Sequence, residues 1–386
     1  MAIKRYLKRY YSMIKKKTIP LLRLLPIKRN KIVFDNFGGR GYGCDPKYIA
    51  EALLKSDLNL DLIWLTRDMS ITLPKGIRPV KYGTWRSYYE LATAKIWIDN
   101  IKNGIKVPKK KKQFYIQTWH SSLGLKKNEA DATTLPEYYI KAAQEDAGMT
   151  DLMYSNNAFR EDRYRKSYWY SGPVIRCGHP RNSILLNKSL EVEHKVREYF
   201  KIKEEKKIVL YAPTFRKTHN VDLYKFDYNS FIPLLNNKFN GDYIFLIRLH
   251  PNVVVDSFNE NLNYCDNILN ASHYSDMQEL LAVADVLITD YSGSMFDFLI
   301  TKKPVFLFAK DLEDYCKQDR ELYFNIDELP FSLAENEKQL QENIRSFSQE
   351  QYTRKCHDFI KKVDLKEDGE GATVISKIIM DKILNG

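Results

Sequence analysis

No stretch of the 386 residues runs apolar for the eighteen or so positions that a membrane-spanning helix needs, so nothing in the chain reads as an integral span. Cysteine is scarce and scattered. Cys44, Cys177, Cys265, Cys316 and Cys356 form no CxxC pair, and no signal peptide with an uninterrupted apolar core precedes them. That pattern argues against a disulfide framework and fits a reducing cytosol. There is no GxxxxGK[ST] loop, no HExxH helix and no set of carboxylates at metal-ligand spacing, which removes P-loop and zincin chemistry. The run Gly38-Gly39-Arg40-Gly41-Tyr42-Gly43 misses the dinucleotide-binding spacing. It reads either as a flexible rim that lets an acceptor or a phosphate approach the backbone, or as a plain tight turn.

Acid is absent from Met1 to Lys31, where eleven lysines and arginines fall. The remaining fifty bases face 49 acids, so the net charge of +12 belongs to this segment and the body is nearly neutral. A nucleic-acid grip, which would need a basic body, is not expected. Ile3, Leu7, Tyr10 and Ile14 recur at spacings of four, three and four, which predicts one apolar face on a helix that is otherwise basic. Such a helix can lie on an anionic bilayer, with an attraction of about 1 kcal/mol per basic residue. Leu21, Leu22, Leu24 and Leu25, between Pro20 and Pro26, are placed either to insert shallowly or to pack on the body. Residues 1–30 are therefore expected to associate with a membrane surface.

From Lys31 onward short apolar runs alternate with helical patterns. Residues 32–37, 62–66, 95–99, 114–119, 152–155 and 174–177 are the strand candidates of a first half; 208–211, 243–249, 267–269, 286–289 and 305–308 are those of a second. One helix is expected to begin with Asp45 as N-cap and Pro46 in its first turn. Alternation of this kind predicts an α/β protein with parallel sheets, two Rossmann-like domains at 31–185 and 186–386, and ligands in a central cleft at the carboxyl ends of the strands. Ile375, Ile378, Ile379 and Ile383 form a stripe that reads as core packing within C-terminal helices of the second domain.

The segment Val286-Leu-Ile-Thr-Asp-Tyr-Ser-Gly-Ser-Met-Phe-Asp297 is the most telling: a buried strand reaches an Asp and breaks into Ser-Gly-Ser at the start of a helix. Ser292 can cap that helix, and Gly293 lets backbone N–H groups approach an anion. Other polar residues also follow predicted strands: His120 with Ser121, Ser122, Lys126 and Lys127; His250 before Pro251; Arg216; and His179 with Arg181. A neutral imidazole there can take a proton from a hydroxyl, and a protonated one can hold a phosphate oxygen.

With these pieces in order, the chain resembles the CDP-glycerol glycerophosphotransferase family, the primases and polymerases of teichoic acids and related phosphopolyol capsules. Phe34 to Lys47 looks like its FGG…PK opening, and Gln117-Thr-Trp-His-Ser-Ser-Leu-Gly-Leu-Lys-Lys127 like its QxWHGTPLK block. Gly178-His-Pro-Arg-Asn182 is similar to GYPRND, Leu210 to Arg216 to YAPTxR, and Leu287 to Asp297 to TDYSSxxFD, with Leu249-His-Pro251 between. The resemblance implies a GT-B architecture, no bound metal or other cofactor, and transfer of a polyol phosphate from CDP-glycerol or another CDP-polyol to a lipid-linked acceptor at the cytoplasmic membrane face, releasing CMP.

It also implies roles. His120 corresponds to a base and His250 to a second essential histidine near the donor pyrophosphate. Arg216, Ser292, Gly293 and Ser294 fall in donor-phosphate motifs, and Thr214, Asp290 and Asp297 in those facing the nucleotide or polyol. Gly38, Gly39, Arg40, Ser121 and Lys126 lie on the acceptor side. Ser121-Ser122-Leu123-Gly124 departs from Gly-Thr-Pro-Leu, His179 from Tyr, and Gly293 from Ser, which leaves CDP-ribitol open as a donor. The rival reading is a sugar-nucleotide glycosyltransferase on the same fold.

Overall fold

The computed structural model describes residues 18–104, 107–187, 189–216, 221–225, 227–249, 265–318 and 321–385. The expected amphipathic helix over Ile3, Leu7, Tyr10 and Ile14 lies outside them. In the first half, β1 (Lys28–Asp35), β2 (Asp61–Thr66), β3 (Ile77–Lys81), β4 (Ala94–Asp99) and β5 (Phe114–Gln117) form a parallel sheet in the order β3-β2-β1-β4-β5. A ribbon of β6 (Met153–Ser155) and β7 (Val174–Arg176) continues it through a parallel bridge between Ile116 and Leu152.

In the second half, β8 (Lys206–Ala212), β9 (Asp242–Ile247), β10 (Ile268–Asn270), β11 (Val286–Thr289), β12 (Val305–Phe308) and β13 (Ser332–Ala334) take the order β10-β9-β8-β11-β12-β13. Every pairing is parallel. All four residues of β11 and of β12 are buried, as continuous apolar strands covered on both faces must be. In each half the order reverses between the first strand and the fourth, which places the switch points beside β1 and β4 and beside β8 and β11.

Caps set the helix starts. Thr84, Asn157, Ser189, Asp276, Asn336 and Ser348 each accept a backbone N–H from the first turn that follows. Asp45 does not. The helix Cys44–Leu54 has Gly43 as its N-cap, and Asp45 is buried one residue inside, turned toward Arg181.

Elements from each side of the expected 185/186 boundary pack into the other half. Helix Gly371–Asn385 returns to the first half, where Ile375, Ile379 and Ile383 share a core with Ile32, Phe34, Ile49 and Leu53. Their i, i+4, i+8 spacing gives one apolar face, and Arg29 Nε donates to Ile383 O at 2.6 Å. Conversely Leu123 and Leu125, from the loop after β5, sit in the core of the second half. The two halves are interlocked.

The leucine cluster near the start divides by face. The 3₁₀ turn Ile19–Leu24 packs Ile19 and Leu22 on the first core, while Leu21 and Leu24 are 60% and 83% exposed. Among the described residues no helix is long and apolar enough to cross a membrane.

Candidate active site

Where β5 ends, Trp119 takes a left-handed φ of 55° and turns the chain so that His120 stands at the seam between the halves. Its ring stacks on Trp119 with centroids 4.7 Å apart and meets Phe37 at 5.5 Å. His120 Nδ1 lies 2.9 Å from Asn100 O. A carbonyl only accepts, so Nδ1 carries the proton and Nε2 keeps its lone pair. Asn100 is itself fixed, accepting from Phe37 N at 2.8 Å and donating to Asn36 Oδ1 at 2.7 Å. His120 is exposed as a residue, but its ring is flanked by Trp119 and Phe37 and its Nδ1 contact is partly buried, and its pKa is pushed down to about 4. Desolvation of the charged form leads; the hydrogen bond to Asn100 opposes it, and Arg181, Arg160 and Lys102 add to it. His120 is therefore neutral at pH 7.

At the same switch point Asp35 and Asp99 lie side by side in register at the ends of β1 and β4. Asp35 Oδ1 accepts from Gly39 N at 2.7 Å, and Asp99 Oδ2 is buried without a hydrogen-bond partner. Burial pushes Asp35 up to about 7, against Gly39 N–H and Arg67, and drives Asp99 well above the usual carboxylate range, aided by the charge of Asp35. The pair therefore retains a proton near neutrality.

Gly38 and Gly39 form no flexible rim. Both are buried at φ of 66° and 81°, and a Cβ on Gly39 would stand 2.8 Å from Tyr82 Cβ. Arg67 holds both carbonyls, through Nε to Gly38 O at 2.7 Å and N to Gly39 O at 2.8 Å. The run is a locked tight turn with Arg40 exposed at its end.

The second switch point is differently built. Arg216, which the sequence places among donor-phosphate ligands, is committed inside the protein. Its Nε and Nη2 reach Asp311 at 2.6 and 3.0 Å, Nη2 reaches Asp290 at 2.8 Å, and Nη1 donates to Thr214 O at 2.5 Å. Tyr291 and Tyr315, stacked at 3.8 Å, lie against the guanidinium at 4.9 and 5.0 Å. Asp290 accepts from Thr214 N and Tyr291 N as well, so both its oxygens are engaged and it holds β8 to β11. Thr214 keeps a buried Oγ1 without a partner.

Ser292, Gly293 and Ser294 lead into the short helix Ser294–Leu299, whose N-cap is Gly293, without a side-chain cap. The two hydroxyls contact each other at 2.9 Å, and Ser292 Oγ also accepts from the backbone N–H of Ser294, the first helical residue, at 3.4 Å. Gly293 faces the first half: a Cβ built on it would lie 3.6 Å from Ser121 Cβ. The His120 loop and the Ser292–Ser294 turn therefore meet directly.

Behind this meeting runs a buried polar hub. Arg181 donates to Asp45 Oδ2 at 2.7 Å and, through Nε and Nη2, to Asp297 at 3.0 and 3.2 Å. Asp297 also accepts from Ser122 Oγ at 2.6 Å and Gln278 Nε2 at 3.3 Å. Through these bonds it ties the two halves together. Burial opposes the charge on Asp45, but Arg181 and His179 hold its carboxyl below the usual range.

Sequence reasoning missed Asp45, Asp311, Asn100 and Arg160 as parts of this region. Asn100, directly after β4, and Arg160, following the Asn157 cap after β6, carried a usable signal, since they sit past strand ends like the residues singled out. Lys126 lies over Tyr315 at 5.4 Å and pairs by a backbone bridge with Leu322. His250 lies outside the described residues.

Two parallel sheets of Rossmann order, interlocked and carrying a neutral histidine against a hydroxyl-rich turn, define a GT-B-like α/β protein with its reactive groups at the seam. The chain belongs to the family described as CDP-Glycerol:Poly(glycerophosphate) glycerophosphotransferase, whose model matches residues 18–381. It is 30% identical to a teichoic acid poly(glycerol phosphate) polymerase of Staphylococcus epidermidis over 92% of this chain and 51% of that one, and so spans about half of its length. A protein of the same description from Bacillus spizizenii is 30% identical over 85% of this chain and 84% of its own. A structure of the wall teichoic acid polymerase TagF superposes with a TM-score of 0.84 at 28% identity, covering 99% and 96% of the two chains. Ribitol-phosphate polymerases and a primase are also among the relatives.

Proposed function

We propose that the protein transfers glycerol phosphate from CDP-glycerol to an acceptor hydroxyl and releases CMP, in the assembly of a teichoic acid or related polymer. Family membership supports the reaction class, and the free Nε2 of His120 opposite the Ser292–Ser294 turn carries the assignment of roles. The acceptor hydroxyl attacks the β-phosphorus in line, His120 Nε2 takes its proton, and the P–O bond to CMP breaks. The hydroxyls of Ser292 and Ser294, the buried Thr214 Oγ1 and His250 receive the donor's phosphates. Arg216, locked between Asp290 and Asp311, shapes that seat from behind.

The acceptor is lipid-linked and meets the protein at the cytoplasmic face of the membrane, with residues 1–30 on the anionic surface; the outward Leu21 and Leu24 support this reading. Ribitol-phosphate relatives leave CDP-ribitol as the second donor to try. The test offers CDP-glycerol, CDP-ribitol and UDP-sugars in parallel with a lipid-linked disaccharide and follows released nucleotide. CMP from a CDP-polyol is the expected product. UDP from a UDP-sugar would replace this reading with glycosyl transfer.

A further inference from the structure

Arg160 lies in the first turn of helix Ala158–Ser167, and its side chain runs inward with 0% exposure. Nε donates to Ser122 O at 3.4 Å, Nη1 to Tyr168 Oη at 2.8 Å, and Nη2 to Ser121 Oγ at 3.1 Å and to Leu123 O. Every one of these acceptors is neutral. The rings of Tyr164 and Tyr168 flank the guanidinium at 5.7 and 5.9 Å. Among the described residues no carboxylate forms an ion pair with it, whereas Arg181 and Arg216 each hold two. Asp297, one hydrogen bond away through Ser122, is already engaged by Arg181 and Gln278. A buried guanidinium without a counter-charge is costly, and an anion arriving from outside removes that cost.

The loop over Arg160 is built to leave it in place. Gly124 adopts a φ of 76°, and a Cβ there would stand 2.0 Å from Arg160 Nη2. Ser121 Oγ accepts from Arg160, so its own hydrogen is available to another group, on the side where Ser121 meets Gly293.

We propose that Arg160 and Ser121 form an anion-stabilising pair, in which Arg160 fixes Ser121 Oγ and the Ser121 hydroxyl donates to a non-bridging oxygen of the phosphoryl group being transferred. The proposal rests on the donor-phosphate reading above and deepens it. Ser121 is then a catalytic residue, and Arg160 a positioning residue that acts through it. Charge grows on the phosphoryl oxygens in the transition state, where a donor fixed in advance by a cation is most effective.

The experiment compares wild type, Ser121→Ala and Arg160→Gln in two assays: calorimetric affinity for inorganic pyrophosphate, and CMP release from CDP-glycerol. Ser121→Ala is expected to weaken pyrophosphate binding about tenfold and to lower kcat/KM by about 10². Because Arg160 acts through Ser121, its loss should lower kcat with little change in KM and add little to Ser121→Ala in the double variant, a split that a purely structural role would not give; a histidine NMR titration without substrate checks that the Arg160 charge has gone. Arg160→Gln removes one of the three cations that, with Arg181 and Lys102, hold His120 low, so the His120 titration moves up; Ser121→Ala leaves it in place. Should Arg160→Gln fail to fold, Ser121→Ala decides alone. Wild-type pyrophosphate affinity and turnover in Ser121→Ala would overturn the pair while leaving the transfer reaction standing. Lost pyrophosphate binding in Ser121→Ala, with no CMP released by wild type from any CDP-polyol, would keep the pair and reject the reaction.

Discussion

The two switch points occupy equivalent places in two sheets of the same order, yet their polar groups are in opposite states. Beside β8 and β11 the charged groups are paired with one another: Arg216 is closed by Asp290 and Asp311, and both oxygens of Asp290 are engaged. Beside β1 and β4 they are not: His120 Nε2 is free, Asp99 Oδ2 has no partner, and Asp35 and Asp99 sit together. A polar residue at the end of a parallel strand is thus only a candidate. Whether its hydrogen-bonding capacity is already used by neighbours decides between scaffold and chemistry.

The sharpest way to break this comparison is to remove the free lone pair. His120→Ala should lower turnover by about 10² to 10⁴ while leaving the thermal unfolding midpoint near wild type, because the residue is exposed at the seam. In wild type the acid limb of kcat/KM should fall near pH 4, not near 6.5, because the depressed pKa keeps Nε2 unprotonated until then. Near-normal turnover in the variant would remove His120 from the mechanism.

The opposite result is expected at the second switch point. Arg216→Met leaves Asp290 and Asp311 buried without their cation, and breaking a buried pair from one side costs about 3–5 kcal/mol. Chemical denaturation should show that loss. A variant as stable as wild type but unable to bind CDP-glycerol would mean that Arg216 is a ligand after all.

The first half also holds its site with backbone geometry. Gly39→Ala places a methyl group 2.8 Å from Tyr82 Cβ at a φ of 81°, so a loss of about 1–3 kcal/mol is expected from strain and displacement of Tyr82. Unfolding midpoints check it; an unchanged midpoint would show that the turn is looser than its hydrogen bonds to Arg67 imply.

Much of this was legible in the chain, and the exceptions have physical causes. The central strands declare themselves because both faces are covered, which makes them continuous apolar runs. β3 and β13 escape because neither is a continuous apolar run: Arg78, Pro79 and Lys81 break up the first, and in the second only Ala334 is buried. His120 is identifiable from its position after β5. The closure of Arg216 is not, because Asp311 lies 95 residues away and comes into reach only once β12 pairs with β11. Asp45 reads as an N-cap by local rules, but a partner 136 residues distant draws it inside the helix.

The smallest expected effect tests the first half's unusual carboxylates. Asp35 has a folded-state pKa near 7 against an ordinary 3.8, because burial disfavours its charge. Between those values the folded protein binds a proton that the unfolded chain has released, so stability falls as pH rises from about 4 to 7 and levels off above. Asp35→Asn removes Asp35's share of that dependence and leaves the share of Asp99, whose carboxyl burial also holds above the usual range. In the variant the side-chain oxygen at position 35 can still accept from Gly39 N, and the charge beside Asp99 disappears. The variant should match wild type at pH 4 and exceed it at pH 8 in chemical denaturation. Wild-type stability that instead rises from pH 4 to 7, with Asp35→Asn weaker at pH 8, would show the pair to be ionised and held by a cation from outside the fold, and the contrast between the two switch points would then rest on His120 alone.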